Sequence, residues 1–119
     1  MRSPALPASR EIQERASALG WDWPDVDGVW DKVAEELDEL RSADVAQRLH
    51  ELGDVLFALA NLGRWLGVDP EEALRTANRR WVDRYHAVEE LAGERGLVLA
   101  DLGADAKDRL WDEVKARPA

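Results

Sequence analysis

The sequence predicts an all-α fold, an antiparallel helical bundle. Apolar residues recur every three or four positions over long stretches. Helix start and stop signals, a polar cap at one end and glycine at the other, punctuate those stretches. No segment alternates apolar and polar residues at the strand period. The connections are short, so neighbouring helices are expected to run antiparallel.

The elements follow in order. An N-terminal helix is expected within residues 1–20, with Ile12, Ala16 and Leu19 on one side. "GWDWPDVDG" (20–28) reads as a loop broken by Gly20, Pro24 and Gly28. A second helix over 28–42 places Trp30, Val33, Leu37 and Leu40 on one apolar stripe. A third starts near Asp44, with Gln47 three residues on as a capping-box pattern, and ends at Gly67. Its stripe is Val45, Leu49, Leu52, Leu56 and Leu59. A fourth opens with Asp69 as cap, Pro70 at the first helical position and Glu72 three residues after the cap. It carries Leu74, Ala77, Trp81, Tyr85 and Val88 to about residue 92, where Gly93 and Gly96 are expected to break it. "LVL" (97–99) suits a short extended piece, and a last helix is expected over 104–116 with Leu110, Trp111 and Val114. The whole, 1–119, reads as one domain with a core formed by residues 28–92.

Composition narrows the function classes. The chain has 119 residues, 45% of them apolar, enough for a small core. It has no cysteine, which removes disulfide scaffolds, thiol catalysis and Cys-based zinc sites and fits a reducing compartment. No apolar leader or 18-residue apolar run is present, so a cytoplasmic protein without a membrane partner is expected. The formal charge of −9 argues against nucleic acid as a partner. An anionic ligand would need metal ions or a local basic patch against that field.

Two acid pairs stand out. Glu36 and Glu39 lie three apart on the second helix, and Glu51 and Asp54 three apart on the third. At about 100° per residue, the first acid of each pair lies roughly 80° from its apolar stripe and the second roughly 140°, on the same side. Both pairs therefore occupy the shoulder of their helix and would meet in one cleft if the helices pack as a hairpin. Converging carboxylates need a hard cation with oxygen ligands, and Mg²⁺ held by carboxylates, waters and phosphates suits them. The same spacing also arises on solvated faces in a chain with 25 acids. A di-iron site would need Glu-x-x-His motifs, and neither His50 nor His86 follows a Glu by three residues.

"VWDKVAEELDEL" and "HELGDVLFALANLGRWLGVDPEEALRTANRRWVDRYHAVEEL" closely resemble the MazG family of nucleoside triphosphate pyrophosphohydrolases. The resemblance is to the C-terminal domain of two-domain members and runs from about Leu6 through "LWDEVKA". It implies an all-α fold and Mg²⁺, with Mn²⁺ as a substitute, bound by Glu36, Glu39, Glu51 and Asp54. It further implies hydrolysis of NTPs or dNTPs to a monophosphate and pyrophosphate, in nucleotide-pool cleaning. A homodimer or homotetramer, often with sites completed across the interface, is implied as well. Positions matching nucleotide contacts of the family are Lys32, Gln47, His50, Asn78, Arg80, Arg84, Trp111 and Lys115, and Glu35 is a carboxylate available to take a proton. Gln47 stands where relatives often have a basic residue, and Arg80 where they often have Lys.

The residues also support plainer roles. Gln47 suits a cap, Lys32 a helix-face pair with Glu36, Arg80 and Arg84 a balance to nearby acids, and Trp111 a core position. Narrower enzymes of the same chemistry, acting on dUTP or phosphoribosyl-ATP, compete with the broad reading. So does a non-catalytic helical module that binds proteins.

Overall fold

The structure, a computed structural model, describes residues 4–118. Residues 1–3 and 119 of the expected 1–119 domain, including the start of the helix expected over 1–20, lie outside the described residues. Among the described residues five helices form: α1 (Ala5–Ala18), α2 (Val26–Ser42), α3 (Arg48–Leu66), α4 (Pro70–Glu94) and α5 (Ala104–Lys115). Single 3₁₀ turns occupy Val45–Gln47 and Leu99–Asp101, and no strand occurs among the described residues. The chain divides into two compact units, one up to Ala73 and one from Leu74 onward.

Local chemistry sets the helix ends. Asp25 is extended and accepts from the Asp27 N–H at 2.9 Å, so α2 begins at Val26, two residues before the expected start. Gly28, expected to break the loop, lies inside the helix instead. Asp44 accepts from the Gln47 N–H at 3.1 Å, but the turn it caps is 3₁₀, and the α-helix proper starts at Arg48. Asp69 caps α4 through the Glu71 N–H at 3.0 Å, with Pro70 at the first helical position as the sequence predicts. Gly67 ends α3 in the left-handed region at φ 71°, and the Val68 N–H reaches back to the Gly63 carbonyl at 2.9 Å.

The end of α4 differs from expectation. Gly93 is helical, and the chain turns only at Gly96, with φ 68°. There the Leu97 N–H bonds the Ala92 carbonyl and the Gly96 N–H the Gly93 carbonyl, so "LVL" begins in a helix cap and runs into a 3₁₀ turn at Leu99.

In the first unit, α3 packs against both α1 and α2. Its core is Val29 and Val33 of α2 with Ala58 and Leu62 of α3, flanked by Val26 and Trp65. A connection of a few residues joins α2 to α3, and Glu36 late in α2 faces Glu51 and Asp54 early in α3, so the two form an antiparallel hairpin. In the second unit Val88, Leu91 and Ala92 of α4 pack with Leu110 and Val114 of α5. Arg95 and Glu113 add a two-bond ion pair at 2.7 and 2.8 Å.

The buried faces of α2 and α3 are not the stripes the sequence suggests. Trp30, Leu37, Val45, Leu49, Leu52, Leu56 and Leu59 are exposed; of the expected α2 stripe Val33 is buried, together with Val29 and Glu36 from outside it. Periodicity identifies an apolar face without saying which surface covers it. Glu36 therefore sits on the inward face of α2, where the offsets had put it on the shoulder.

Candidate active site

The hairpin brings the two acid pairs together. Carboxylate oxygens of Glu36, Glu51 and Asp54 lie within 4.8 Å of one another, and so do those of Glu35, Glu36 and Glu39. Glu36 belongs to both groups and is only 5% exposed. Burying a carboxylate among carboxylates is costly unless cations or hydrogen bonds offset it. Lys32, one turn earlier on α2, supplies part of that offset: its Nζ lies 2.9 Å from Glu36 and 3.6 Å from Glu35. The Lys32 hydrogen bond holds the Glu36 carboxyl below its ordinary value, against the opposing effect of burial. The negative charge of Glu36 pushes the Glu39 carboxyl up, as for any two carboxylates forced together.

One ammonium does not satisfy the site. Oε2 of Glu36 and Oε2 of Glu51 are buried without a hydrogen-bond partner. A buried acceptor with no donor is destabilising by about 1–3 kcal/mol or more. A donor set made only of carboxylate oxygens, two of them unpaired, fits a hard divalent cation and no soft metal.

The other expected residues fall in different places. His50 is exposed, its Nε2 3.2 Å from Asp54 Oδ2, at the rim of the acid cluster. Gln47 is exposed, and its N–H serves the Asp44 cap. Gly53, between the two acids of α3, has nothing within 4 Å of where a Cβ would sit. Asn78, Arg80, Arg84, Trp111 and Lys115 belong to the second unit. Asn78, Arg80 and Lys115 are exposed there and Arg84 is half-buried. Trp111 is half-buried against the core of that unit, its ring 5.9 Å from that of Trp81.

The acid cluster opens into a cavity of about 710 Å³ between α1, the 19–25 connection, α2 and α3. Lys32, Glu36 and Asp54 line one part, and Trp21, Trp23, Phe57 and Asn61 another. None of these last four stood out in the sequence as a site residue. Asn61 had a signal: it is the one polar side chain in the otherwise apolar run from Val55 to Leu62.

The described residues thus form an all-α fold without strands, in which an antiparallel helix pair shares a carboxylate cluster. The chain belongs to the phosphoribosyl-ATP pyrophosphohydrolase family, whose model matches residues 11–81. It is 48% identical over 113 residues to the nucleoside triphosphate pyrophosphohydrolase/pyrophosphatase MazG of Thermotoga maritima, covering 94% of this chain and 44% of that protein. It is 39% identical over 118 aligned residues to the nucleoside triphosphate pyrophosphohydrolase of Escherichia coli, covering 94% of this chain and 45% of that protein. A match to the Bacillus subtilis protein YabN is 45% identical over 65 residues. The chain thus spans less than half the length of the curated relatives it matches.

Proposed function

We propose that this chain hydrolyses nucleoside triphosphates, NTPs or dNTPs, to the monophosphate and pyrophosphate, with Mg²⁺ held by Glu36, Glu39, Glu51 and Asp54. Mn²⁺ would substitute. The observation that carries the reading is the convergence of Glu39, Glu51 and Asp54 on Glu36, with buried unpaired oxygens on Glu36 and Glu51. The similarity to enzymes named for this reaction supports it. A bound Mg²⁺ would supply neutralising charge to the triphosphate and acidity to the attacking water.

The chain's own residues divide the remaining work. Lys32 sits where its ammonium can meet phosphate charge as well as Glu36. Glu35 is an exposed carboxylate beside Lys32, placed to accept the proton that water loses on attack. As the new P–O bond forms, the anhydride bond between the α- and β-phosphoryl groups breaks and pyrophosphate leaves. The family resemblance assigns nucleotide contact to Gln47, His50, Asn78, Arg80, Arg84, Trp111 and Lys115.

The acting form in this proposal is a homodimer or homotetramer, because α2 and α3 leave apolar faces uncovered. The proposed setting is the cytoplasm, in nucleotide-pool cleaning, with no nucleic-acid partner for so acidic a chain. No helix among the described residues is long and apolar enough to cross a membrane.

The test is pyrophosphate release from the eight common NTPs and dNTPs, dUTP and phosphoribosyl-ATP, with Mg²⁺ and with EDTA. Turnover is expected only with the metal, and Glu51→Gln is expected to lower it about 100-fold. Wild-type turnover that survives EDTA would overturn the mechanism. Turnover confined to phosphoribosyl-ATP would replace the broad reading by the narrower one.

A further inference from the structure

A second cavity, of about 570 Å³, lies wholly within the second unit, between the 95–102 connection and α5. None of its lining residues belongs to the site described above. Its size is in the range of small-molecule pockets. Its floor is aliphatic: Leu97, Leu102, Ala106 and Leu110. Leu110 is buried in the core of the unit, while Leu97 is left 40% exposed. The left-handed turn at Gly96 folds Leu97 back onto the end of α4, where its N–H meets the Ala92 carbonyl at 2.9 Å.

Four charged side chains line the same cavity, and they are not equivalent. Arg95 and Glu113 are joined by two hydrogen bonds, 2.7 and 2.8 Å, across 18 positions of chain. Those bonds hold the Glu113 carboxyl below its ordinary value and the Arg95 guanidinium above its own. That pair neutralises itself. Arg109 and Asp112 are different: neither side chain has a hydrogen bond or ion pair among the described residues. They are neighbours three apart on α5, but with the base nearer the N-terminus, the less favourable order for a helix pair. Glu113, the acid four positions beyond Arg109, is already taken by Arg95.

An aliphatic floor beside one unpaired cation and one unpaired anion narrows the ligand. A simple anion would meet Asp112 as well as Arg109, and a simple cation would meet the reverse. The interior of a peptide chain carries neither charge on its backbone. A free α-amino acid carries a carboxylate and an ammonium on one carbon, with its side chain beside them. It can therefore satisfy both charges and cover the floor at once. The floor contains no aromatic ring, so an aliphatic side chain suits it better than a flat one.

We propose that this cavity binds an aliphatic α-amino acid: Arg109 takes its carboxylate, Asp112 its ammonium, and Leu97, Leu102, Ala106 and Leu110 its side chain. The site uses no residue assigned to hydrolysis, so the inference goes beyond the triphosphate reading and does not rest on it. Arg109 and Asp112 are exposed, so their bonds to the ligand compete with water. The dissociation constant is accordingly about 1 mM, far from the nanomolar range.

Amide-resolved nuclear magnetic resonance of the isotope-labelled full chain reads weak binding and its location together. Leucine is titrated at neutral pH beside three analogues that each lack one feature: glycine the side chain, N-acetylleucine the ammonium, leucinamide the carboxylate. Leucine is expected to shift amides between residues 95 and 113 saturably, and each analogue to bind about tenfold more weakly. Arg109→Gln is expected to abolish the preference for leucine over leucinamide, and Asp112→Asn the preference over N-acetylleucine. Both side chains are exposed, and each variant removes one charge independently, so either one that keeps the wild-type spectrum elsewhere carries the test. No saturation below about 10 mM, or shifts centred outside this segment, would overturn the site. So would equal binding of any one analogue, or preferences that survive in the folded variants. These outcomes stand whether or not the chain hydrolyses triphosphates.

Discussion

Asp22 accepts five hydrogen bonds: two from Arg64, and one each from the Ser17 hydroxyl, the Trp23 N–H and the Trp65 indole. The Arg64 bonds are the largest influence on its carboxyl, with Ser17 and Trp23 adding to them against burial, and they hold it well below the ordinary 3.8. The folded value lies below the unfolded one, so ionised Asp22 contributes stability above pH 3.8 that is lost as the pH falls through the folded value. Asp22→Asn should therefore lower unfolding stability at pH 7 by about 2 kcal/mol. Urea midpoints of the two proteins should converge as the pH is lowered below the carboxylate range. Equal midpoints at neutral pH would show that the clamp is ornamental. Nothing in the sequence announces this residue, because its partner lies 42 positions away. The acid pairs were legible because both members share one helix face. Asn61 was half-legible, as a polar residue out of place in an apolar run.

At the scale of elements, glycines separate what composition reveals from what conformation decides. Gly93 and Gly96 look alike in the sequence, as twin breakers at the end of α4. Gly93 is helical, in the last turn of α4, with open space where a Cβ would go, while Gly96 carries the left-handed turn at φ 68°. The same substitution should then act in opposite directions three residues apart. Gly93→Ala should stabilise by about 0.5–1 kcal/mol, because alanine loses less backbone entropy in a helix. Gly96→Ala should destabilise by about 1–2 kcal/mol, because a Cβ is strained in the left-handed region. Thermal denaturation of the two variants checks the sign, and a shared sign would contradict the assigned end of α4. Helix existence, caps and order were readable because each rests on a few neighbouring residues. The start of α2 was misjudged because Gly28 was taken for a breaker, when its lack of a side chain serves the Trp23 ring.

For the whole molecule, the instructive miss is the apolar stripe of α3. Its repeat is regular, yet Leu49 is 87% exposed and Val45 75%, while the helix turns Val55, Ala58 and Leu62 inward. The helix thus has two apolar faces, and the chain covers one of them. Trp30 and Leu37 extend the uncovered surface onto α2. Isolated soluble chains seldom leave more than a few hundred Å² of contiguous apolar surface open, about the upper end for a monomer. A second copy is the partner that is always present at matching concentration, and a two-fold axis would set like stripes against each other. Wild type should therefore run in light scattering at twice 13.4 kDa or more. Leu56→Glu combined with Leu59→Glu places charges on that face, away from the acid cluster. The double variant should dissociate toward 13.4 kDa while keeping its helical circular dichroism. A wild-type protein that is monomeric and fully active would remove the case for a second copy, and the exposed stripe would then need a different partner.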